Sequence, residues 1–296
     1  MPRPHRSPLR STARPALAIV LVAALVALSS CSDAHSDAQL QLKNQGYDPT
    51  SMVILAPATL SQTLQDLGTA YTRLHPDTSF VLVSDVVAGL ERFARHYHFL
   101  AGVAANARQS LDTQPVPDLW IDTSNSLRTL LPPGTAVYGD RRPFGDDHLA
   151  VVVRPGNPDH ISGLQAFAAS SGVRTGMCNP GTPCASLSNA VLEEHHIVAK
   201  PVVGETTGME LVTDLLQGRI KAVLVTTVDL ANAVKNGAQV TVLPIQPPST
   251  KVLTYATVTL DQDPVAAAFA DWVATSPQAA TILAYHGVTP PARSTS

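Results

Sequence analysis

The sequence predicts an α/β protein with parallel sheets, and two observations support this prediction. Short apolar runs, each suited to a strand buried on both faces, recur along most of the chain. Between them lie segments whose apolar residues recur every three or four positions, as on one face of a helix. Strands that alternate with helices in this way form parallel sheets, whose ligands bind beyond the carboxyl ends of the strands.

The amino-acid composition excludes several classes of protein. Charged residues make up only 15% of the 296 residues, against about 25% in an average soluble protein. With 45% hydrophobic residues the chain buries a large core, which excludes a disordered protein. A net charge of -3 argues against a nucleic-acid-binding protein, and 5% aromatic residues supply no platform for stacking bases.

The N-terminus has the pattern of an export signal. Residues 1–14 hold four arginines and no acid, and the apolar run Ala16–Leu28 is shorter than a membrane span. The run ends in Leu28-Ser29-Ser30-Cys31, which resembles the bacterial lipobox. This resemblance implies that residues 1–30 are removed and that Cys31 carries a lipid; the alternative is an ordinary signal with a cysteine there by chance. The polar residues 31–51 are predicted to be a flexible tether.

The first half of the folded region begins with a predicted strand at 52–57. Apolar residues then recur at helical spacing over 60–74, with Thr59 or Ser61 as the expected cap and Pro76 as the stop. The further elements predicted in this half are a strand at 79–85, a helix at 86–110, a strand at 116–122 and a helix from 124, closed by the prolines at 132 and 133.

The second half repeats the alternation. The predicted elements are a strand at 149–153, a short helix at 161–170, a strand at 173–178, helices at 185–197 and 207–220, a strand from 221 that turns into a helix by 230, strands at 239–245 and 253–260, and two helices within 263–287. Gly218 is expected to end the helix that begins at 207.

Two cysteines lie close together in the sequence CNPGTPC, at Cys178 and Cys184. An exported protein meets an oxidising environment, and the intervening turn residues bring the ends together, so a disulfide is predicted. A zinc site is the alternative, but it needs two further ligands, and no His or Cys lies near in sequence.

Metal binding and catalysis have little support in the sequence. The histidines at 96, 98, 195 and 196 lack acids or cysteines at metal-binding spacing, so no metal site is expected. No nucleophile elbow, phosphate-binding loop or dinucleotide fingerprint is present. The sequence therefore predicts a protein that is not an enzyme, with no catalytic residues and no cofactor.

The order of segments over residues 52–291 resembles the bacterial extracellular solute-binding proteins of ABC importers, and in particular the molybdate-binding type. Ala56–Leu60 is similar to the AAASL opening of that family, and Val116–Ile121 is similar to its PADVFI strand. The further similar segments are 149–153, 177–185, 204–207, 225–229 and 285–288.

This resemblance implies a two-lobed type II periplasmic-binding-protein fold with hinge strands and a central ligand cleft. Lobe 1 would comprise residues 52–147 and 253–291, and lobe 2 residues 148–252. The implied function is capture of a small oxyanion, molybdate or tungstate, for delivery to an ABC permease. The protein would be a monomer, lipid-anchored to the outer face of the cell membrane.

The resemblance also suggests ligand-binding positions. Hydroxyls and backbone N–H groups at helix N-termini hold an oxyanion without a countercharge. The candidate ligand-binding residues are Thr59, Leu60, Ser84, Cys184, Ala185, Thr207 and Thr226. For Thr59 and Thr207, a plain helix cap is the alternative role.

One segment departs from the family pattern. Val87 stands where a ligand serine is expected, and Ser84 is displaced from it. The carboxylate of Asp85 would repel an anion in a cleft of low dielectric constant; the alternative is that Asp85 is a solvated acid of the loop. This departure leaves two alternatives open: a solute-binding protein for a different small ligand, and an envelope lipoprotein of the same fold without a transport role.

Overall fold

The computed structural model describes residues 51–85, 117–131, 141–260 and 263–290, which all fall in one compact unit, Tyr47–Ser296. The predicted signal peptide, the lipidation at Cys31, nearly all of the tether, the helix at 86–110 and Val87 lie outside the described residues. The same holds for the side chain of Asp85.

The described residues form ten strands and seven α-helices. The strands are β1 (Met52–Pro57), β2 (Phe80–Asp85), β3 (Leu119–Thr123), β4 (Arg142–Asp147), β5 (Leu149–Val153), β6 (Thr175–Cys178), β7 (Val203–Glu205), β8 (Ala222–Thr226), β9 (Thr241–Leu243) and β10 (Leu253–Thr259). The helices are α1 (Ser61–Leu74), α2 (Ser124–Leu130), α3 (Pro183–Glu194), α4 (Gly208–Leu216), α5 (Thr227–Lys235), α6 (Pro264–Thr275) and α7 (Pro277–Tyr285). Short 3-10 turns lie at Ala58–Leu60 and Leu164–Phe167.

The strands form two five-stranded sheets of matching design. The first sheet has the order β2-β1-β3-β10-β4, and the second has the order β7-β6-β8-β5-β9. In each sheet the first three strands are parallel and the fourth is antiparallel to both of its neighbours. The chain passes from the first sheet to the second between β4 and β5, and returns between β9 and β10.

Each sheet has a hydrophobic core of its own because its strands are apolar on both faces. The core of the first sheet packs Leu64 and Tyr71 of α1 against Phe269 of α6. In the second sheet, α3 packs Leu187 and Val191 onto one face, and α4 packs onto the other. These helices cover the faces of the sheets and leave the carboxyl ends of the strands for the loops.

The predicted elements and the structure differ in a few places. β4 was not predicted because its sequence, RPFGDD, is mostly polar and has no apolar run. Its first two residues are exposed in the structure. The short helix predicted at 161–170 is only a 3-10 turn. The prediction that Thr59 or Ser61 caps α1 is wrong: its N-cap position is Leu60, without a side-chain hydrogen bond, because the 3-10 turn feeds directly into the helix.

The predicted disulfide between Cys178 and Cys184 is confirmed. It joins the end of β6 to the first turn of α3 and so closes the loop between them.

Candidate functional site

A cavity of 510 Å³ lies where the carboxyl ends of both sheets meet. Its first-sheet wall comes from the ends of β1 and β3 and from β10: Pro57, Ala58, Thr59, Asp122, Thr123, Leu253 and Tyr255. Its second-sheet wall comes from the segments after β6, β7 and β8: residues 179–184, Thr206, Thr207, Met209, Thr226, Asp229 and Asn232. We call this cavity the cleft.

The structure places the predicted ligand-binding residues in three different settings. Thr59, Cys184, Thr207 and Thr226 line the cleft. Leu60 and Ala185 are buried beside it, at 0% and 3% exposure, and are not among the lining residues. Ser84 is an exposed residue of β2 and does not line the cleft either. A ligand-binding role stays a prediction for all seven residues.

Three helices begin at the second-sheet wall, and a threonine caps each of them. Thr182 accepts a hydrogen bond from the Ala185 N–H at the start of α3. The Thr207 hydroxyl accepts from the Glu210 N–H of α4, and the Glu210 carboxylate accepts from the Thr207 N–H, which completes a capping box. These caps use the same hydroxyls and N–H groups that the sequence had suggested for an oxyanion.

The third cap leads to a buried carboxylate. Thr226 accepts from the Asp229 N–H at the start of α5 and donates to the Asp229 carboxylate, at 3.2 Å. The same carboxylate accepts a hydrogen bond from the Gly208 N–H of α4. Glycine is required at 208 because a Cβ there would lie 2.5 Å from the Asp229 Cβ. Asp229 thus joins the first turns of two neighbouring helices.

A second buried carboxylate, Asp147, ties the two sheets together at the end of β4. Its Oδ2 accepts from the Tyr255 hydroxyl of β10 at 3.0 Å. Its Oδ1 accepts from the Val228 N–H of α5 at 3.1 Å and from the Thr227 hydroxyl at 2.8 Å. Burial raises the pKa of Asp147, and burial with the surrounding acids raises the pKa of Tyr255 well above its usual value. The phenol therefore stays a neutral donor.

Asp122, at the end of β3, is the acid of the first-sheet wall. It is 3% exposed, and its Oδ1 accepts from the Thr123 N–H at 2.6 Å. Burial raises the pKa of Asp122 to about 6, although hydrogen bonds from Thr123 and Ser126 lower it. Burial and the nearby Asp147 raise the pKa of Asp229 to about 6 as well. Both carboxyls of the cleft therefore titrate close to neutral pH.

Asn232, one turn further along α5, spans from the second-sheet wall to the first. Its Nδ2 donates to the Thr59 carbonyl oxygen at 2.9 Å. Its Oδ1 is buried and has no hydrogen-bond partner among the described residues. The sequence had pointed to neither Asn232 nor the two acids, although Asp122 and Asp229 each stand at the end of a predicted strand, where ligands of such sheets bind.

The described residues hold no group of three or more His, Cys, Asp or Glu side chains that is able to bind a metal ion. Within the same residues, no helix has both the length and the apolar character needed to cross a membrane.

Comparisons with known proteins point to one family and one fold. A family model described as bacterial extracellular solute-binding protein matches residues 52–289. Comparison with curated proteins gives no match.

Among solved structures, the substrate-binding domain of a putative molybdenum ABC transporter from Clostridium difficile is 14% identical, with a TM-score of 0.58, over 82% of this chain and 99% of that one. The periplasmic molybdate-binding protein of Azotobacter vinelandii is 17% identical, with a TM-score of 0.55, over 82% and 100%. Iron-bound HitA from Pseudomonas aeruginosa is 13% identical, with a TM-score of 0.57, over 83% and 88%. At these identities the likeness shows the fold, and the predicted two-lobed periplasmic-binding-protein fold is confirmed.

Proposed function

We propose that this chain, which belongs to the family of bacterial extracellular solute-binding proteins, captures a small solute in the cleft for delivery to an ABC permease. The observation that carries the proposal is the cavity of 510 Å³ whose walls come from the strand ends of both sheets. A solute held there contacts both lobes at once, so its binding favours closure of the lobes about the hinge strands.

The finer parts of the proposal come from the sequence. We take lobe 1 as residues 52–147 with 253–291 and lobe 2 as 148–252, boundaries that fall in the two passages between the sheets. Cleavage before Cys31 and lipidation of its side chain would anchor the protein to the outer face of the cell membrane. The polar residues from 32 to 51 would then tether the folded unit, a monomer, within reach of the permease.

An oxyanion such as molybdate is one candidate solute. The hydroxyl-bearing residues Thr59, Thr207 and Thr226, which line the cleft, favour it, as do structures of the same fold that are described as molybdate-binding. The carboxyls of Asp122 and Asp229 on the same walls disfavour it, because each is an anion above pH 6.

A thermal-shift screen tests the proposed function. The mature chain from residue 31, with Cys31→Ser to prevent lipidation, would be screened with molybdate, tungstate, sulfate, phosphate and a panel of small metabolites. A specific solute at a thousandfold excess over its Kd stabilises the native state by about 4 kcal/mol. We expect at least one solute to raise the melting temperature by the corresponding amount.

A pair of double variants locates the binding site. Thr59→Ala with Thr226→Ala should remove the shift, whereas Thr72→Ala with Thr275→Ala, two threonines outside the cleft, should leave it unchanged. Solute binding that is equal in both double variants would show that the cleft is not the site. A folded protein that no solute stabilises would contradict the transport role and favour the alternative of an envelope lipoprotein.

A further inference from the structure

The charge of the cleft is the reverse of what an oxyanion receptor needs. Among the described residues that line it, the charged side chains are Asp122 and Asp229, and none is a Lys, Arg or His. Neither acid forms an ion pair with a described basic residue. Both are nearly fully buried, at 3% and 4% exposure, so water screens their charge poorly. An anion entering the cleft would face two carboxylates for which the described residues supply no countercharge.

At each helix N-terminus of the second-sheet wall, at least one backbone N–H group already donates to an acceptor of the chain itself; at the start of α3 the Ala185 N–H donates to Thr182. At the start of α5, the Val228 N–H donates to Asp147 and the Asp229 N–H donates to Thr226. At the start of α4, the Gly208 N–H donates to the Asp229 carboxylate. The anions that such N-termini attract are therefore built into the protein. The Asp229 carboxylate, which lines the cleft, therefore presents an acceptor where an oxyanion would need donors.

An independent observation on α5 also points to a ligand that donates hydrogen bonds. Asn232 lines the cleft and is 8% exposed, and its Oδ1 is a buried acceptor with no partner among the described residues. Its Nδ2 already donates to the Thr59 carbonyl oxygen, which fixes the orientation of the amide. A buried acceptor without a partner loses the hydrogen bonds that water would give it, and a donor on a bound ligand restores one.

The size of the cleft favours an organic molecule. Pockets of roughly 300–1,000 Å³ accommodate small organic ligands, and the cleft of 510 Å³ lies in this range. Apolar side chains at Pro57, Leu253 and Met209 contribute to its walls and suit a carbon skeleton. A tetrahedral oxyanion of five atoms would leave most of this volume unfilled.

We propose that the solute is a small organic cation whose protonated amine is bound between Asp229 and Asp122, with Asn232 as a further acceptor. The inference rests on the proposed function of the cleft and names the chemical class of its ligand. An ammonium group supplies both the positive charge that the two carboxylates lack and N–H donors for the acceptors of α5.

The affinity of the cleft for a cation should depend on pH in a predictable direction. The acids that interact electrostatically with Tyr255 of the cleft wall are Asp122 and Asp229, which line the cleft, and Asp147, which is buried behind it. The phenol stays neutral, and the carboxyls of Asp122 and Asp229 have a pKa of about 6. Protonation below pH 6 removes the negative charge that binds a cation, so its affinity falls as the pH falls. An oxyanion would bind more tightly at low pH.

Calorimetric titration of the mature chain tests the inference, with putrescine, spermidine and agmatine as cationic probes, molybdate and sulfate as anions and glucose as a neutral probe. We expect at least one amine to bind at pH 7.5, and at least about tenfold more weakly at pH 5, since a carboxyl of pKa 6 is then about nine-tenths protonated. Asp229→Asn should weaken the same amine at least tenfold at pH 7.5. The exposed control Asp77→Asn should leave its affinity unchanged. Circular dichroism would establish that both variants are folded.

The other outcomes separate this inference from the proposed function. Binding of an anion that strengthens at pH 5 or with Asp229→Asn, or binding of glucose alone, would overturn the cationic ligand and keep the solute-binding role. Amine binding that is independent of pH and of Asp229 would overturn the assignment of the carboxylates. Heat from none of the three amines would overturn the cationic ligand, and the thermal-shift screen would then decide separately on the solute-binding role.

Discussion

The two walls of the cleft rest on sheets of the same design, yet they offer different chemistry. Both sheets have three parallel strands followed by one antiparallel strand, and both direct carboxyl ends to the cleft. On the second-sheet wall, Thr182, Thr207 and Thr226 each cap a helix. On the first-sheet wall, Thr123 caps α2 in the same way, but the turn after β1, which holds Thr59, has no side-chain cap. The shared topology therefore places a ligand site at the strand ends of both sheets. What the site can bind depends on which hydroxyls and N–H groups are already bonded to each other in helix caps.

The largest effect should come from breaking the connection between the two sheets at Asp147. Asp147→Ala leaves the Tyr255 hydroxyl and the Val228 N–H buried without their acceptor. Each lost partner costs about 1–3 kcal/mol, so we expect the free energy of unfolding to fall by about 4 kcal/mol. Urea unfolding would measure this. The neighbouring variant Asp146→Ala removes a hydrogen bond to Thr254 at a partly exposed site. It should lower the free energy of unfolding by less than about 1 kcal/mol. Equal losses in the two variants would refute the role of Asp147 in joining the sheets.

The next largest effect should be a gain in stability when the charge of Asp229 is removed from the second-sheet wall. The pKa of Asp229 is about 6 in the folded protein and 3.8 when unperturbed. The folded state therefore binds the proton more tightly, and the stability that this contributes below pH 4 is lost as the pH rises through 6. Asp229→Asn removes the charge, so we expect it to stabilise the unliganded protein by about 3 kcal/mol at pH 7.5.

Comparison at two pH values isolates this effect. The gain from Asp229→Asn should vanish in urea unfolding at pH 4, and the exposed Asp77→Asn should give no gain at either pH. A stabilisation of equal size at pH 4 and pH 7.5 would mean that the charge of Asp229 is not its cause. The predicted gain would mean that the Asp229 carboxylate destabilises the unliganded protein at the site proposed to bind the solute, as is common for functional residues.

The caps of the second-sheet wall should have smaller effects. Thr182→Ala removes the hydroxyl that accepts from the Ala185 N–H at the start of α3. Loss of an N-cap of this kind costs about 1 kcal/mol, which thermal unfolding of the variant would show. Thr182→Ser keeps the hydroxyl and should restore the stability. A loss that the serine variant shares would indicate packing rather than capping.

The smallest effect on stability is expected on the first-sheet wall. The Thr59 hydroxyl caps no helix, because the N-cap position of the 3-10 turn belongs to Pro57. We expect Thr59→Ala to change the free energy of unfolding by less than about 0.5 kcal/mol, while it weakens the binding of whichever solute the screen identifies. A loss of stability as large as that of Thr182→Ala would remove the contrast between Thr59 and the threonines that cap helices.

Much of the fold was predictable from the sequence, because its strands are continuous apolar runs. β1 and β5 have the predicted bounds, and the helices α3 to α7 lie within or close to the predicted segments. β4 was missed because an edge strand with the sequence RPFGDD has no apolar run to mark it. The family resemblance, which depended on the order of weak motifs, is confirmed by the family model over residues 52–289.

The site was less predictable, for a physical reason. Sequence shows that Thr207 and Thr226 precede helices, but not whether their hydroxyls are used as caps or are available to a ligand. The acids Asp122 and Asp229 resemble ordinary residues at the ends of strands until the fold shows that both are buried in one cleft. The partner of Asn232, the Thr59 carbonyl, lies 173 positions away in sequence, so no local pattern reveals it.

The pKa values of Asp122 and Asp229 in the unliganded protein are the most direct test of an acidic cleft without countercharges. A ¹³C NMR titration of the carboxyl carbons, assigned with Asp122→Asn and Asp229→Asn, would measure them. We predict that both carboxyls titrate near pH 6, as burial without a basic partner requires. Two pKa values at or below 4 would show that a positive charge or water already neutralises the cleft, and would contradict this account.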